Sequence, residues 1–201
     1  VGADRLHVVV VADDGSVGGS AVIDPADTAA VDALLGTLPP ACPVGIDGPA
    51  GPSAGAHVDD ASLSRKFRPA RGCEIELGRR RGLWVPWVTP LEGHEMAPWM
   101  GVAVGLHRRV ADHGLVPLET YPYAVFVTLT GARPPRKTTP AGLAARAAAL
   151  RSAGLLAPHL ELWSHDALDA AACAVVARAH RLGSAAAISD DRDGTCIWLP
   201  A

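Results

Sequence analysis

The order in which strand-like and helix-like patterns follow one another leaves this chain few folds to choose from. Residues 1–4 read as the tail of a first strand, residues 6–12 form a β-branched run, and Asp13-Asp14-Gly15 is a turn before a third strand over residues 17–23. The opening is thus predicted to be an antiparallel meander of three strands. Apolar spacing then becomes helical: Asp24-Pro25 starts a helix on Val31, Leu34, Leu35 and Leu38, which Pro39-Pro40 ends. Residues 44–47 follow as a short buried strand. A helix with Trp99, Ala103, Leu106 and Val110 on one side stops at Gly114, and residues 116–119 make another short strand. Thr139-Pro140 opens a helix carrying Leu143, Ala147 and Leu150 and stopping at Gly154. The last helix has Ser164 as N-cap, a stripe of Leu168, Ala172, Val175, Ala179 and Leu182, and Gly183 as its stop. A turn at residues 191–194 leads to a closing hairpin strand at 195–199. Three antiparallel strands followed by alternating strands and helices predict an α/β fold, a mixed sheet with helices on both faces. No repeat or linker divides the sequence, so a single domain over 1–201 is expected.

With 201 residues, 49% hydrophobic and 19% charged, the chain has the composition of an ordinary globular protein with a sizeable core. No apolar run reaches bilayer length and no basic-then-apolar signal stretch opens the chain, so no membrane association and a cytoplasmic location are expected. The absence of an initial Met hints at a trimmed terminus. Cys42, Cys73, Cys173 and Cys196 are scattered without Cys-x-x-Cys spacing and read as reduced, mostly buried thiols. The net charge of −3 argues against a generic polyanion binder, so any nucleic-acid contact must come from local patches.

The acids carry the functional argument. In His165-Asp166-Ala167-Leu168-Asp169-Ala170 two carboxylates share one helix face, where they repel unless a cation lies between them. A solvated acidic first turn that suits the helix dipole is the plain alternative. Asp4 and Asp47 end predicted strands, and so does Glu119. The carboxyl ends of parallel strands share the edge of a sheet where ligands bind, so these acids are expected to converge on one or two hard cations, Mg²⁺ or Mn²⁺. The basic residues around Arg71, Arg79, Arg80 and Arg81 are candidates for phosphate contacts, with Trp84 and Trp87 as stacking surfaces; a solvated helix end and core packing are the alternatives. Lys137, one of two lysines, precedes a helix start and is a further candidate. Residues 131–138 approach a phosphate-binding loop, but Arg136 replaces the required glycine and Pro134-Pro135 removes backbone donors. Zinc spacings and nucleophile-elbow or dinucleotide motifs are lacking.

Val44-Gly45-Ile46-Asp47-Gly48-Pro49, Arg71-Gly72-Cys73-Glu74, Val88-Thr89-Pro90, Glu119-Thr120-Tyr121-Pro122, Lys137-Thr138-Thr139 and the His165 to Ala170 hexamer together resemble the ordered motifs of the family called domain of unknown function 429. The resemblance spans nearly the whole chain, and its last two acidic motifs are more distantly similar to RuvC-type Holliday-junction resolvases. It implies an RNase H-like fold and a predicted nuclease, with Asp4, Asp47, Asp166 and Asp169 as metal-binding residues and Glu119 as a further catalytic acid. The departure is at the front, where Gly2-Ala3-Asp4 replaces a longer first strand.

The expected function is divalent-metal-dependent phosphodiester hydrolysis by Asp4, Asp47, Glu119, Asp166 and Asp169, with nucleic acid as substrate. Arg71, Arg79, Arg80, Arg81 and Lys137 would bind its phosphates. Two alternatives are an enzyme with the same site acting on a small phosphorylated or anionic metabolite, and a non-catalytic binding module. An open basic groove would favour nucleic acid, and a deep narrow pocket the small substrate.

Overall fold

A computed structural model describes residue 2 and residues 4–201. The chain runs β1 (Leu6–Val11), β2 (Val17–Ile23), α1 (Thr28–Leu35), β3 (Pro43–Asp47), α2 (Gly72–Arg81), α3 (Pro98–Asp112), β4 (Val116–Thr120), α4 (Pro122–Thr130), α5 (Pro140–Ser152), α6 (His165–Arg181), β5 (Ala185–Ser189) and β6 (Cys196–Pro200). Four strands form one sheet in the order β3-β4-β6-β5, with β3, β4 and β6 parallel and β5 antiparallel at the edge. The predicted mixed α/β architecture is therefore present. The long 49–71 and 82–97 connections carry the chain to α2 and α3.

The three-strand meander is not. β1 and β2 pair antiparallel as a separate two-stranded sheet, with a bulge between Val10 and Val11. The predicted first strand falls partly on Val1 and Ala3, outside the described residues. Gly2 and Asp4 lie in no strand, and Asp4 sits in an exposed bend. Gly2 N–H donates to the Arg5 carbonyl at 3.2 Å, just ahead of β1.

Two apolar layers sandwich the strands. On one side, Leu168, Ala172, Val175 and Val176 of α6 pack with Phe126 of α4, Leu150 of α5 and Leu199 of β6. On the other, Val31 and Leu35 of α1 meet Ile46 of β3 and Val110 of α3. Ser164 caps α6 as predicted, accepting from Ala167 N–H. Leu182, predicted to continue the α6 stripe, is exposed because it is the C-cap residue, beyond the last packed turn. All four cysteines are free, with Cys73 and Cys173 buried and the other two half-buried. Among the described residues no helix is long and apolar enough to cross a membrane.

Candidate functional site

Helix α6 and strand β3 set the site. Adding a Cβ to Gly45 would bring it within 2.3 Å of the Cys173 carbonyl, so glycine lets β3 lie directly on α6. The carboxyl end of β3 thereby comes beside the first turns of α6. Asp47, the last residue of β3, is half-buried there and pushes up the carboxyl pKa of Asp169. The turn after it is tightly constrained: Gly48 has φ +148°, and a Cβ on it would come within 2.6 Å of Ala103. His107 fixes the same turn, its Nε2 lying 3.2 Å from the Gly48 carbonyl. Burial pulls the His107 pKa down to about 4, so the neutral ring donates to that carbonyl.

Asp166 and Asp169 share a face of α6, as the spacing predicts, but in different surroundings. Asp169 is buried, and burial raises its pKa, with Asp47 adding to the rise and the Lys137 ammonium opposing it. Lys137 Nζ lies 2.8 Å from Asp169 Oδ2 and 3.9 Å from Asp166 Oδ1. Burial alone would lower the lysine pKa; the bond to Asp169, reinforced by Asp166 and Asp47, wins and raises it. The loop carrying Lys137 is held by Arg146, which donates to the Pro135 carbonyl at 2.9 Å. Asp166 is half-exposed. His7 Nε2 lies 4.0 Å from it, and His165 Nδ1 lies 2.8 Å from its Oδ1, although the direction does not make a hydrogen bond.

His165, Asp166 and Asp169 each place one donor atom within 4.8 Å of the others. An imidazole nitrogen with two carboxylate oxygens fits a divalent ion. The oxygens suit Mg²⁺ or Mn²⁺, and the imidazole suits Mn²⁺ better than Mg²⁺. Lys137 already supplies one positive charge on the Asp169 side, so an ion there must compete with its ammonium or share the carboxylate with it.

Not all predicted site residues join this cluster. Asp4 is exposed with Arg5 as its ion-pair partner at 3.7 Å, and only borders the same cleft as Asp47, Asp166 and Asp169. Glu119 is buried in β4 and both its oxygens are taken by Arg71, with Ala50 N–H donating to Oε2 at 2.8 Å. Arg71, predicted to face substrate phosphate, is instead a buried cation between Glu119 and Glu74; Glu74 in turn accepts from Thr89 Oγ1 at 2.6 Å. Arg79 pairs with Asp60 and Arg80 with Glu76, and neither they nor the exposed Arg81 lines a cleft that holds Asp47. The expected basic footprint is thus neutralised or turned elsewhere. Trp84 stacks tilted on Phe67 at 4.5 Å, and Trp87 meets Trp99 edge-on at 5.6 Å.

Two groups near the carboxylates escaped the sequence reading. Tyr121 follows Glu119 in the same motif; burial raises its pKa to about 12, and Tyr123, Asp47 and Asp169 add to the rise. The Glu-Thr-Tyr-Pro string was the available signal, with its tyrosine rather than its acid nearest the cluster. His107 had no signal, since it sits mid-helix among residues of no motif.

A family model described as protein of unknown function (DUF429) matches residues 3–194. No curated protein and no solved structure matches the chain.

Proposed function

We propose that this chain, which belongs to the DUF429 family of proteins of unknown function, is a divalent-metal-dependent phosphodiester hydrolase with an RNase H-like fold, and acts as a nuclease. The observation that carries the reading is the meeting of Asp47 from β3 with Asp166 and Asp169 from α6, where the buried Asp169 feels a neighbouring carboxylate, the Lys137 ammonium and, more weakly, the Arg146 guanidinium. The parallel β3–β4 pair, with helices on both faces and acids at the strand ends, supports the fold assignment. Asp166, Asp169 and His165 would hold a divalent ion, with Asp47 facing them; Asp4 borders the cleft as a further carboxylate. Such an ion supplies charge neutralisation and a water of lowered pKa.

The chain's own residues account for the remainder. Lys137 holds Asp169 in place and offers its ammonium to a phosphoryl oxygen. Arg146 keeps the Lys137 loop against α5, and His107 keeps the turn after Asp47. Glu119, through Arg71 and Ala50, braces the strand end and the 48–50 turn rather than the reacting atoms.

A second reading, the same chemistry on a small phosphorylated metabolite, is favoured by one observation. Arg71, Arg79 and Arg80, expected as phosphate contacts, are spent on internal ion pairs, which shrinks the basic footprint open to a polyanion. Turnover of a panel of single-stranded, duplex and branched nucleic acids alongside small phosphoesters, with Mg²⁺, Mn²⁺ or chelator, separates the two. Metal-dependent cleavage of a polynucleotide that disappears in Asp169→Asn is the expected result. Turnover of small phosphoesters alone would select the second reading, and undiminished cleavage by Asp169→Asn would overturn both.

A further inference from the structure

A second cleft, of about 370 Å³, adjoins the carboxylates, and Asp47 lines both it and the cleft that holds Asp166 and Asp169. Its size falls in the range of small-ligand sites, roughly 300–1,000 Å³. The walls come from four separate parts of the chain: Val85 and Trp87 from the 82–97 connection, Trp99 and Met100 from the first turn of α3, Tyr121 from the β4–α4 junction and Ile197 from β6. The two tryptophans meet edge-on, with ring centroids 5.6 Å apart and planes at 70°. Edge-on rings do not cover each other's faces, so a third planar group can stack on an indole here. A lone exposed apolar side chain needs no explanation, but Trp87 is 55% exposed in the wall of a cleft, beside the buried Val85 and Met100. Trp84 lies outside this cleft, packed on Phe67 and against Gly78.

The floor of the cleft is polar but closed. Arg71, Glu74, Thr89 and Glu119 make it, and each glutamate oxygen already accepts from Arg71, Ala50 or Thr89. Thr89 gives its hydroxyl proton to Glu74 at 2.6 Å, and Thr120 Oγ1 lies 2.9 Å from Cys173 Sγ. Arg71 Nε, which lacks a partner among the described residues, is sealed from solvent. The cleft therefore offers aromatic faces and few open polar groups. A ligand here is held by stacking, which every nucleobase supplies, rather than by hydrogen bonds that tell one base from another. Tyr121 is the exception. Its hydroxyl makes no hydrogen bond among the described residues, and the ring feels the charges of Asp47 and Asp169. It is thus placed to donate to whatever joins a planar group in this cleft to a phosphoryl group at the carboxylates.

We propose that this cleft receives one unpaired nucleobase of the substrate, stacked on the Trp87–Trp99 pair, while the phosphate of the same nucleotide lies at the carboxylates around Asp169. A planar apolar group held one sugar away from an anion is what a nucleotide presents to two adjoining clefts of this kind. The assignment rests on the proposed phosphodiester chemistry and narrows it: the substrate is a nucleotide, free or within a single strand, recognised by the face of its base with little discrimination among bases. A duplex must give up a stacked and paired base to enter, which selects against it.

Calorimetric titration with AMP, CMP and ribose 5-phosphate, each in the presence of Mn²⁺, tests it. AMP and CMP are expected to bind at least about tenfold more tightly than ribose 5-phosphate, and within about threefold of each other. Trp87→Ala, at a half-exposed position, is expected to weaken AMP at least about fivefold, and Trp87→Phe to restore most of the loss. Equal Kd values for AMP and ribose 5-phosphate overturn the base pocket and leave the ion site standing, as does AMP affinity that Trp87→Ala does not change. Adenosine without metal separates the pocket from the ion: binding that Trp87→Ala weakens, alongside AMP affinity indifferent to Mn²⁺, supports the pocket and strikes the ion chemistry. Competition against AMP identifies the source of the base. Displacement by a single-stranded decanucleotide at least about tenfold better than by its duplex assigns the pocket to a polymer, and displacement by neither assigns it to a free nucleotide. Equal displacement by single strand and duplex overturns the proposal.

Discussion

Two acidic clusters flank Asp47, and they are built on opposite principles. In the Arg71–Glu74–Glu119 network the cation is surrounded: Arg71 bonds both glutamates, and backbone or side-chain donors from Ala50 and Thr89 meet the remaining oxygens. In the cluster at the start of α6, Asp166 and Asp169 share the half-exposed Lys137, Arg146 and Asp47 act on Asp169 from further off, and burial still holds the Asp169 pKa up. Every carboxylate oxygen of the first cluster has a donor, Arg71 Nε alone of its polar atoms lacking a partner among the described residues, and the cluster braces the fold. The second is held more loosely at Asp166, which is half-exposed with Lys137 no nearer than 3.9 Å, and that leaves this carboxylate accessible to an incoming cation. Acid count does not separate the two kinds of cluster; how deeply and closely each carboxylate is held does.

The largest effect is expected in the closed cluster. Glu119→Ala leaves Arg71 buried beside Glu74 alone, and equilibrium urea unfolding should show a loss of about 3–5 kcal/mol. A loss below about 1 kcal/mol would mean that the network is not the brace described here.

Next is the hinge between the clusters. His107 is held neutral by burial, with a pKa of about 4 against an ordinary 6.5. Its contribution is complete above pH 6.5 and is lost as pH falls towards 4, because the unfolded state takes up the proton first. The loss should approach about 3 kcal/mol, and His107→Gln should flatten this part of the stability profile.

The open cluster should respond to ions by a similar amount. Mn²⁺ at roughly one hundred times its Kd should stabilise the wild type by about 2.7 kcal/mol, and Asp169→Asn should remove most of the gain. Because the folded pKa of Asp169 is raised, its proton competes with the ion, so apparent affinity should fall at a higher pH than for an ordinary aspartate. Equal stabilisation of both proteins at every pH would separate the ion from this cluster.

Smallest is Lys137→Ala. Its half-exposed ammonium should be worth less than about 1 kcal/mol in stability, yet its removal should raise the Asp169 pKa further, as read by carboxyl NMR titration. An unmoved Asp169 titration would show that the 2.8 Å pair is not formed in solution.

The sequence disclosed the elements whose apolar spacing is regular, and little where tertiary packing overrides local preference. α4 is rich in β-branched and aromatic residues, which favour strands in isolation; burial against α5 and α6 makes it a helix. β5 is mostly alanine, with no strand preference of its own, and is held by pairing with β6. α2 ends in three arginines that invite reading as a binding patch, yet Arg79 and Arg80 complete ion pairs on their own surroundings. At the site, the helical spacing of Asp166 and Asp169 was legible because two residues of one helix carry it. The separation of Glu119 from them was not, since its partner Arg71 lies 48 residues away and the pairing exists only in three dimensions. Lys137 stood out by composition, but its approach to Asp169 depends on a loop anchored by Arg146.

The difference between the clusters is most directly tested by following side-chain carboxyl ¹³C signals of the wild-type protein during a Mg²⁺ titration. The account predicts saturable shifts at Asp166 and Asp169, with a smaller one at Asp47, while Glu74 and Glu119 stay fixed. Shifts at Glu74 and Glu119, or none at Asp166 and Asp169, would contradict it.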